Sequence, residues 1–136
     1  MRGSTEPGTV LAGRRILAVE DEYMVLLEIA TVLSSVGATV VKCSTIDQAL
    51  HAIDTEHFDA AILDVRVARE TIAPVAHKLD GRGTPFLFYT GQVVNEANMA
   101  QWPKARIVSK PAMPTVLIGA VVQLLLSSGK SNASGQ

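Results

Sequence analysis

The chain holds a single cysteine, Cys43, which excludes an internal disulfide and suits a reducing compartment. Its neighbours Val40, Val41 and Lys42 read as a strand, so a buried, inert thiol is expected. Charge is also scarce: 18% of residues are charged and the net charge is −1. Without an excess of either sign there is no electrostatic footprint for a nucleic acid or a membrane surface. No N-terminal stretch has the charged-then-apolar layout of a signal peptide, and no apolar run is long enough to span a bilayer, so a cytoplasmic location is expected. Two further absences remove enzyme classes. There is no Gly-rich phosphate loop of the P-loop or dinucleotide type, and no Cys/His/Asp cluster has zinc spacing. The histidines are bland: His51 and His57 flank a polar helix end, and His77 lies on a helix with Lys78, with nothing nearby to supply a base or partner.

What is present is 136 residues, 48% of them hydrophobic, enough for one domain with a core of its own. Residues 1–13 are polar and rich in Gly, Thr and Pro and read as a flexible leader; 128–136 read as a disordered tail. Between them, over 14–127, short apolar runs alternate with helical patterns five times, which predicts an α/β domain with a parallel sheet. Strands are expected near 15–19, 39–43, 59–64, 84–90 and 105–108, and helices near 22–36, 46–55, 70–80, 94–102 and 114–127. Gly37 stands where the first helix should stop, Pro103 follows the fourth, and Pro114 fits the first turn of the fifth. The strands are apolar on both faces, as expected when helices cover both.

Four of these runs end on polar residues of different kinds. The run 15–19 ends on Glu20-Asp21, the run 58–63 on Asp64, the run 85–89 on Thr90-Gly91, and the run 106–109 on Lys110-Pro111. Parallel strand ends share one edge of a sheet, so these remote residues can converge there. Three carboxylates, a hydroxyl and an ammonium are the inventory of a magnesium-dependent aspartyl-phosphate site. Each residue also has a plainer reading. Asp64 could cap a helix, Glu20-Asp21-Glu22 could be an acidic helix N-terminus, Thr90 could be a turn residue, and Lys110 could be a solvated surface cation.

In that order the constellation resembles the receiver domain of bacterial two-component response regulators, over about residues 14–126. The resemblance implies a (βα)5 doubly wound five-stranded parallel sheet of flavodoxin-like order 2-1-3-4-5. Asp64 is then the phosphorylated nucleophile. Glu20, Asp21 and Asp64, with the backbone carbonyl of Arg66, hold Mg2+, and Glu20 reaches the metal through a water. Thr90 donates its hydroxyl to the phosphoryl group, and Lys110 pairs with Asp64 at rest and with the phosphoryl group afterwards. A cis Lys110-Pro111 bond is implied as well. The partner implied is a sensor histidine kinase or a phosphotransfer protein, and the domain stands alone, a phosphoacceptor signalling module rather than an enzyme.

The chain departs from the family in two places. Where receivers carry Met-Pro and then Gly after the aspartate, this chain has Val65-Arg66-Val67-Ala68-Arg69-Glu70-Thr71. Where most carry an aromatic three residues before the lysine, it has Ile107. Both departures, with the stretch Pro85-Phe86-Leu87-Phe88-Tyr89-Thr90-Gly91-Gln92, resemble a stand-alone subgroup associated with HWE-type kinases. In the subgroup's Pro-Phe-x-Phe-Ala-Thr-Gly-Tyr, this chain has Tyr89 for Ala and Gln92 for the last Tyr.

The first and last helices carry surplus apolar residues. In the first, a core stripe takes Val25, Ile29, Val32, Leu33 and Val36, leaving Tyr23, Met24, Leu26, Leu27 and Ala30. In the last, Val116 to Leu126 has only Gln123 as a polar side chain, so contact with another chain is expected, a homodimer through this helix among them. Two other functional classes stay open: a phosphorylation-independent interaction module, favoured by the two departures, and a dehalogenase-type phosphatase. The latter is opposed by Arg66, which stands where the second acid belongs.

Overall fold

The computed structural model describes residues 6–91, 101–103 and 105–134, with side chains through residue 128. The elements are α1 (Pro7–Val10), β1 (Arg15–Val19), α2 (Tyr23–Ser34), β2 (Thr39–Cys43), α3 (Ile46–Thr55), β3 (Ala60–Leu63), β4 (Arg66–Val67), β5 (Glu70–Thr71), α4 (Ala73–Gly81), β6 (Phe86–Thr90), β7 (Arg106–Ser109) and α5 (Pro114–Ser134). Five strands form one sheet in the order β2-β1-β3-β6-β7, every neighbouring pair parallel. Counting the strands of that sheet alone, this is the expected order 2-1-3-4-5.

The period of two along each strand explains why the runs are apolar throughout. Ile16, Ala18, Ile62, Leu87 and Tyr89 point to one face, where α2 and α5 cover them. Leu17, Val19, Ala61, Leu63 and Phe88 point to the other, under α3 and α4. Cys43 is buried in this second layer, and burial pushes its thiol up to about 11, as suits an inert cysteine.

Differences from the expected boundaries have local causes. The third strand starts at Ala60 because Asp59 is engaged with Arg15: its N–H donates to the Arg15 carbonyl at 2.8 Å, and its carboxylate accepts the Arg15 N–H at 2.8 Å. The fourth helix in sequence, expected at 94–102, falls largely on 92–100, outside the described residues. Trp102 is non-helical and packs on Phe86, Phe88 and His77, the last at 5.1 Å between ring centroids.

Three expectations need correction. The third helix begins at Ala73 rather than 70, because Glu70–Thr71 pair antiparallel with Arg66–Val67 in a small hairpin. The leader is not featureless. Pro7 opens a helical turn, and the apolar pair Val10–Leu11 is buried in the first core layer, where α1 packs against α5. The tail expected from 128 instead continues α5 to Ser134, since no proline interrupts it.

The end of α2 depends on Gly37. Its φ is +96°, and the Ala38 N–H reaches back to the Leu33 carbonyl at 3.2 Å, closing the helix. A Cβ here would stand 3.1 Å from the Ala12 Cα, and the Gly37 carbonyl accepts the Gly13 N–H at 2.9 Å. Gly37→Ala is therefore expected to lower stability by about 1–3 kcal/mol, read as a reduced urea midpoint with unchanged slope.

Candidate functional site

Strand register brings the polar residues together. Val19 pairs with Leu63, so Glu20 and Asp64 each stand one residue past a paired position, and the Asp64 N–H donates to the Val19 carbonyl at 3.1 Å. Thr90 pairs with Ser109, the Lys110 N–H donates to the Thr90 carbonyl at 3.0 Å, and Lys110 follows directly. Four strand ends thus deliver Glu20, Asp64, Thr90 and Lys110 to one edge of the sheet, and Glu20, Asp64 and Thr90 are buried there.

Lys110 joins the two buried acids. Its ammonium donates to Glu20 Oε1 and, at 2.9 Å, to Asp64 Oδ2. The side chains of Lys110, Glu20 and Asp64 are only 15%, 2% and 11% exposed, so little water screens the contacts. Burial pushes the Glu20 carboxyl above its ordinary value, against the pull of Lys110 and of the Glu22 N–H, which donates to Glu20 Oε2 at 3.0 Å. Burial alone would lower the Lys110 ammonium, but its two carboxylate partners outweigh it and hold its pKa above the ordinary value. The Lys110-Pro111 bond is cis, as the resemblance implied.

Asp21 stands exposed at the mouth of this cluster, and its Oδ2 accepts the Ala68 N–H at 3.0 Å. One carboxylate oxygen from each of Glu20, Asp21 and Asp64 lies within 4.8 Å of the other two. The remaining oxygen of Asp64, Oδ1, is buried and has no hydrogen-bond partner among the described residues. An orphaned acceptor among three carboxylates lacks a positive or donating group, and a hard cation with oxygen ligands fits that need. Arg66 lies two residues beyond Asp64 on β4; its side chain is exposed and donates to the Arg69 carbonyl at 2.7 Å.

Sequence reasoning missed two contributors. Tyr89 is buried, its hydroxyl accepts the Ala112 N–H at 3.1 Å, and its ring lies 5.8 Å from the Lys110 ammonium. It therefore braces the segment carrying the lysine, and its only signal was that it replaces a small residue in the subgroup stretch. The other is the backbone N–H of Ala68, which has no side-chain signature. Ile107 is 40% exposed on β7. Of the surplus on α2, Leu26 is core, contrary to expectation, while Tyr23 and Met24 are 66% and 72% exposed next to Asp21. On α5, Val116 and Leu126 stay exposed.

No family model matches the chain. Over an alignment of 68 residues that covers 48% of this chain, the sequence is 40% identical to the sensor histidine kinase GacS of Pseudomonas protegens, and the match spans 7% of that protein's length. Among solved structures, a CheY-like response regulator receiver domain protein from Methanospirillum hungatei superposes with a TM-score of 0.79 at 22% identity, covering 88% of this chain and 99% of that one. A response regulator receiver protein from Sinorhizobium medicae gives 0.73 at 26% identity, over 85% of this chain and 97% of that one. The receiver domain of the sensor histidine kinase PA1611 from Pseudomonas aeruginosa, with a magnesium ion coordinated in its active-site cleft, gives 0.74 at 22% identity, over 84% of this chain and 98% of that one. With its sheet order, its buried acid–lysine cluster and these neighbours, the chain has the fold of the CheY-like response regulator receiver domains.

Proposed function

We propose that this domain is a phosphoacceptor in two-component signalling, taking a phosphoryl group from a histidine onto Asp64. The observation that carries the reading is the Lys110 ammonium held between two buried carboxylates, with the second oxygen of Asp64 unpartnered beside Asp21. Glu20, Asp21 and Asp64, with the backbone carbonyl of Arg66, are the residues that would hold Mg2+. When bound, that ion supplies positive charge to the oxygens of the transferring phosphoryl group.

The chain's own groups do the rest. A carboxylate oxygen of Asp64 attacks phosphorus in line; the P–N bond of the phosphohistidine breaks and its electron pair returns to the imidazole. Lys110 turns from the carboxylates to a phosphoryl oxygen, which its rotatable ammonium permits. The Thr90 hydroxyl can donate to another. Water hydrolyses the acyl phosphate and restores Asp64. The chemistry is self-modification, that of a signalling switch, shuttle or phosphate sink.

The donor is a sensor histidine kinase or a phosphotransfer protein, and the subgroup stretch ending at Thr90-Gly91 points to a kinase of the HWE type. Exposed Tyr23 and Met24, two and three residues past Asp21, are the apolar surface this reading offers to such a donor. A second copy is the partner suggested for the last helix, where Ile107, Met113 and Val116 line an open groove of about 700 Å³. The test is phosphotransfer from an autophosphorylated HWE kinase and from an ordinary one. Label is expected to move to the wild type from the first within minutes and not to Asp64→Asn. Transfer from neither kinase would refute the donor class. Equal signalling by Asp64→Asn in cells would favour a binding module instead.

Among the described residues no helix is long and apolar enough to cross a membrane.

A further inference from the structure

After Asp64 the chain forms a small hairpin, Arg66–Val67 against Glu70–Thr71, whose turn the phosphoacceptor reading leaves unexplained. Its base is anchored in the core by Val67 and Ile72, and the Ile72 N–H donates to the Val65 carbonyl at 3.0 Å. Its two-residue turn places Ala68 at φ 52° and Arg69 at φ 71°. Two successive positive φ angles make the tight hairpin turn that normally selects Asn-Gly, and here both residues carry side chains. Such a turn persists only where contacts over-determine it. Two do so: the Arg66 guanidinium donates to the Arg69 carbonyl at 2.7 Å, and the Ala68 N–H donates to Asp21 Oδ2 at 3.0 Å.

We propose that this hairpin is a positioning device for the cation site, in which the Ala68 N–H holds the exposed Asp21 carboxylate in its binding orientation. The inference rests on the cation reading of Glu20, Asp21 and Asp64. An exposed aspartate at a helix entrance samples several rotamers, and fixing it in advance removes that ordering cost from ion binding. One Asp21 oxygen is satisfied by the amide and the other stays available. A left-handed turn is what lets the Ala68 amide point out of the hairpin towards Asp21, so the propensity of residue 68 for positive φ should set the affinity.

The experiment is a calorimetric Mg2+ titration of the full chain with three variants, each melted in parallel without the ion. Ala68→Val keeps the N–H and the charge but disfavours positive φ, and is expected to weaken Mg2+ binding roughly tenfold. Ala68→Asn favours the turn and should match or exceed wild-type affinity, by up to about threefold. Arg66→Gln removes a positive charge near an acidic site, which by itself would strengthen binding; loosening of the turn should instead weaken it about threefold. Equal dissociation constants across the position-68 variants would overturn the proposal, as would an Ala68→Val variant that melts lower yet binds equally well. Tighter binding by Arg66→Gln would also count against it. A wild type that binds no Mg2+ at millimolar concentration would instead refute the cation reading, and the proposal with it.

Discussion

Lys110→Met is expected to destabilise the fold by about 3–5 kcal/mol in metal-free buffer, because it leaves two buried carboxylates with no counter-charge. Among the described residues Lys110 is the cation within ion-pair distance of both Glu20 and Asp64. Methionine keeps most of the lysine's volume, so the loss reports charge rather than a cavity. Adding Glu20→Gln should recover a large part of it, since one of the stranded charges is then gone; additivity of the two changes would contradict the bridging role. The pH dependence has a definite sign. Burial raises Glu20 in the fold, so the folded state takes up a proton that the unfolded state still lacks, and the variant should gain stability as pH falls through that raised value. Lys110 behaves in the opposite sense in the wild type. Its folded pKa lies above its ordinary value, so its contribution is fully present below that value and is lost as pH rises through the folded pKa. Urea melts between pH 5 and the alkaline range check both.

The second large effect concerns the cation. Mg2+ is expected to stabilise the wild type by about 2.7 kcal/mol at a hundredfold excess over its dissociation constant, since an ion that binds only the folded state adds that much by mass action. Asp21→Asn should remove most of this stabilisation while barely changing the metal-free melt, because Asp21 is exposed and its amide contact to Ala68 can be kept by the Asn carbonyl. Equal Mg2+ stabilisation of the two proteins would take Asp21 out of the site. Sodium chloride at the same ionic strength controls for simple charge screening, which would act on both proteins alike.

Much of this was legible in the sequence because parallel strands buried on both faces read as unbroken apolar runs. β1 and β2 and the helix α3 fall on their expected residues, and the polar residue after each run marks the strand end that carries it. Convergence followed from register alone: Glu20 and Asp64 are neighbours because Val19 pairs with Leu63. The hairpin was not legible. Val65-Arg66-Val67-Ala68-Arg69-Glu70 has no Gly, Asn or Pro to announce a turn, and its left-handed pair is held by contacts from Asp21 and Arg66 rather than by local preference. The leader was misread for a related reason. Among the described residues of the leader only Val10 and Leu11 are buried, and two residues give no periodicity to detect. Tyr89 shows the limit on the site itself, because a buried aromatic in a strand looks like core until its hydroxyl is seen to brace Ala112.

The most direct test of the central claim is the intact mass of the chain after incubation with Mg2+ and acetyl phosphate, beside Asp64→Asn. The account predicts an added phosphoryl group on the wild type, dependent on Mg2+, and none on Asp64→Asn. An adduct of the same size on Asp64→Asn, or one formed on the wild type in the presence of a chelator, would contradict it.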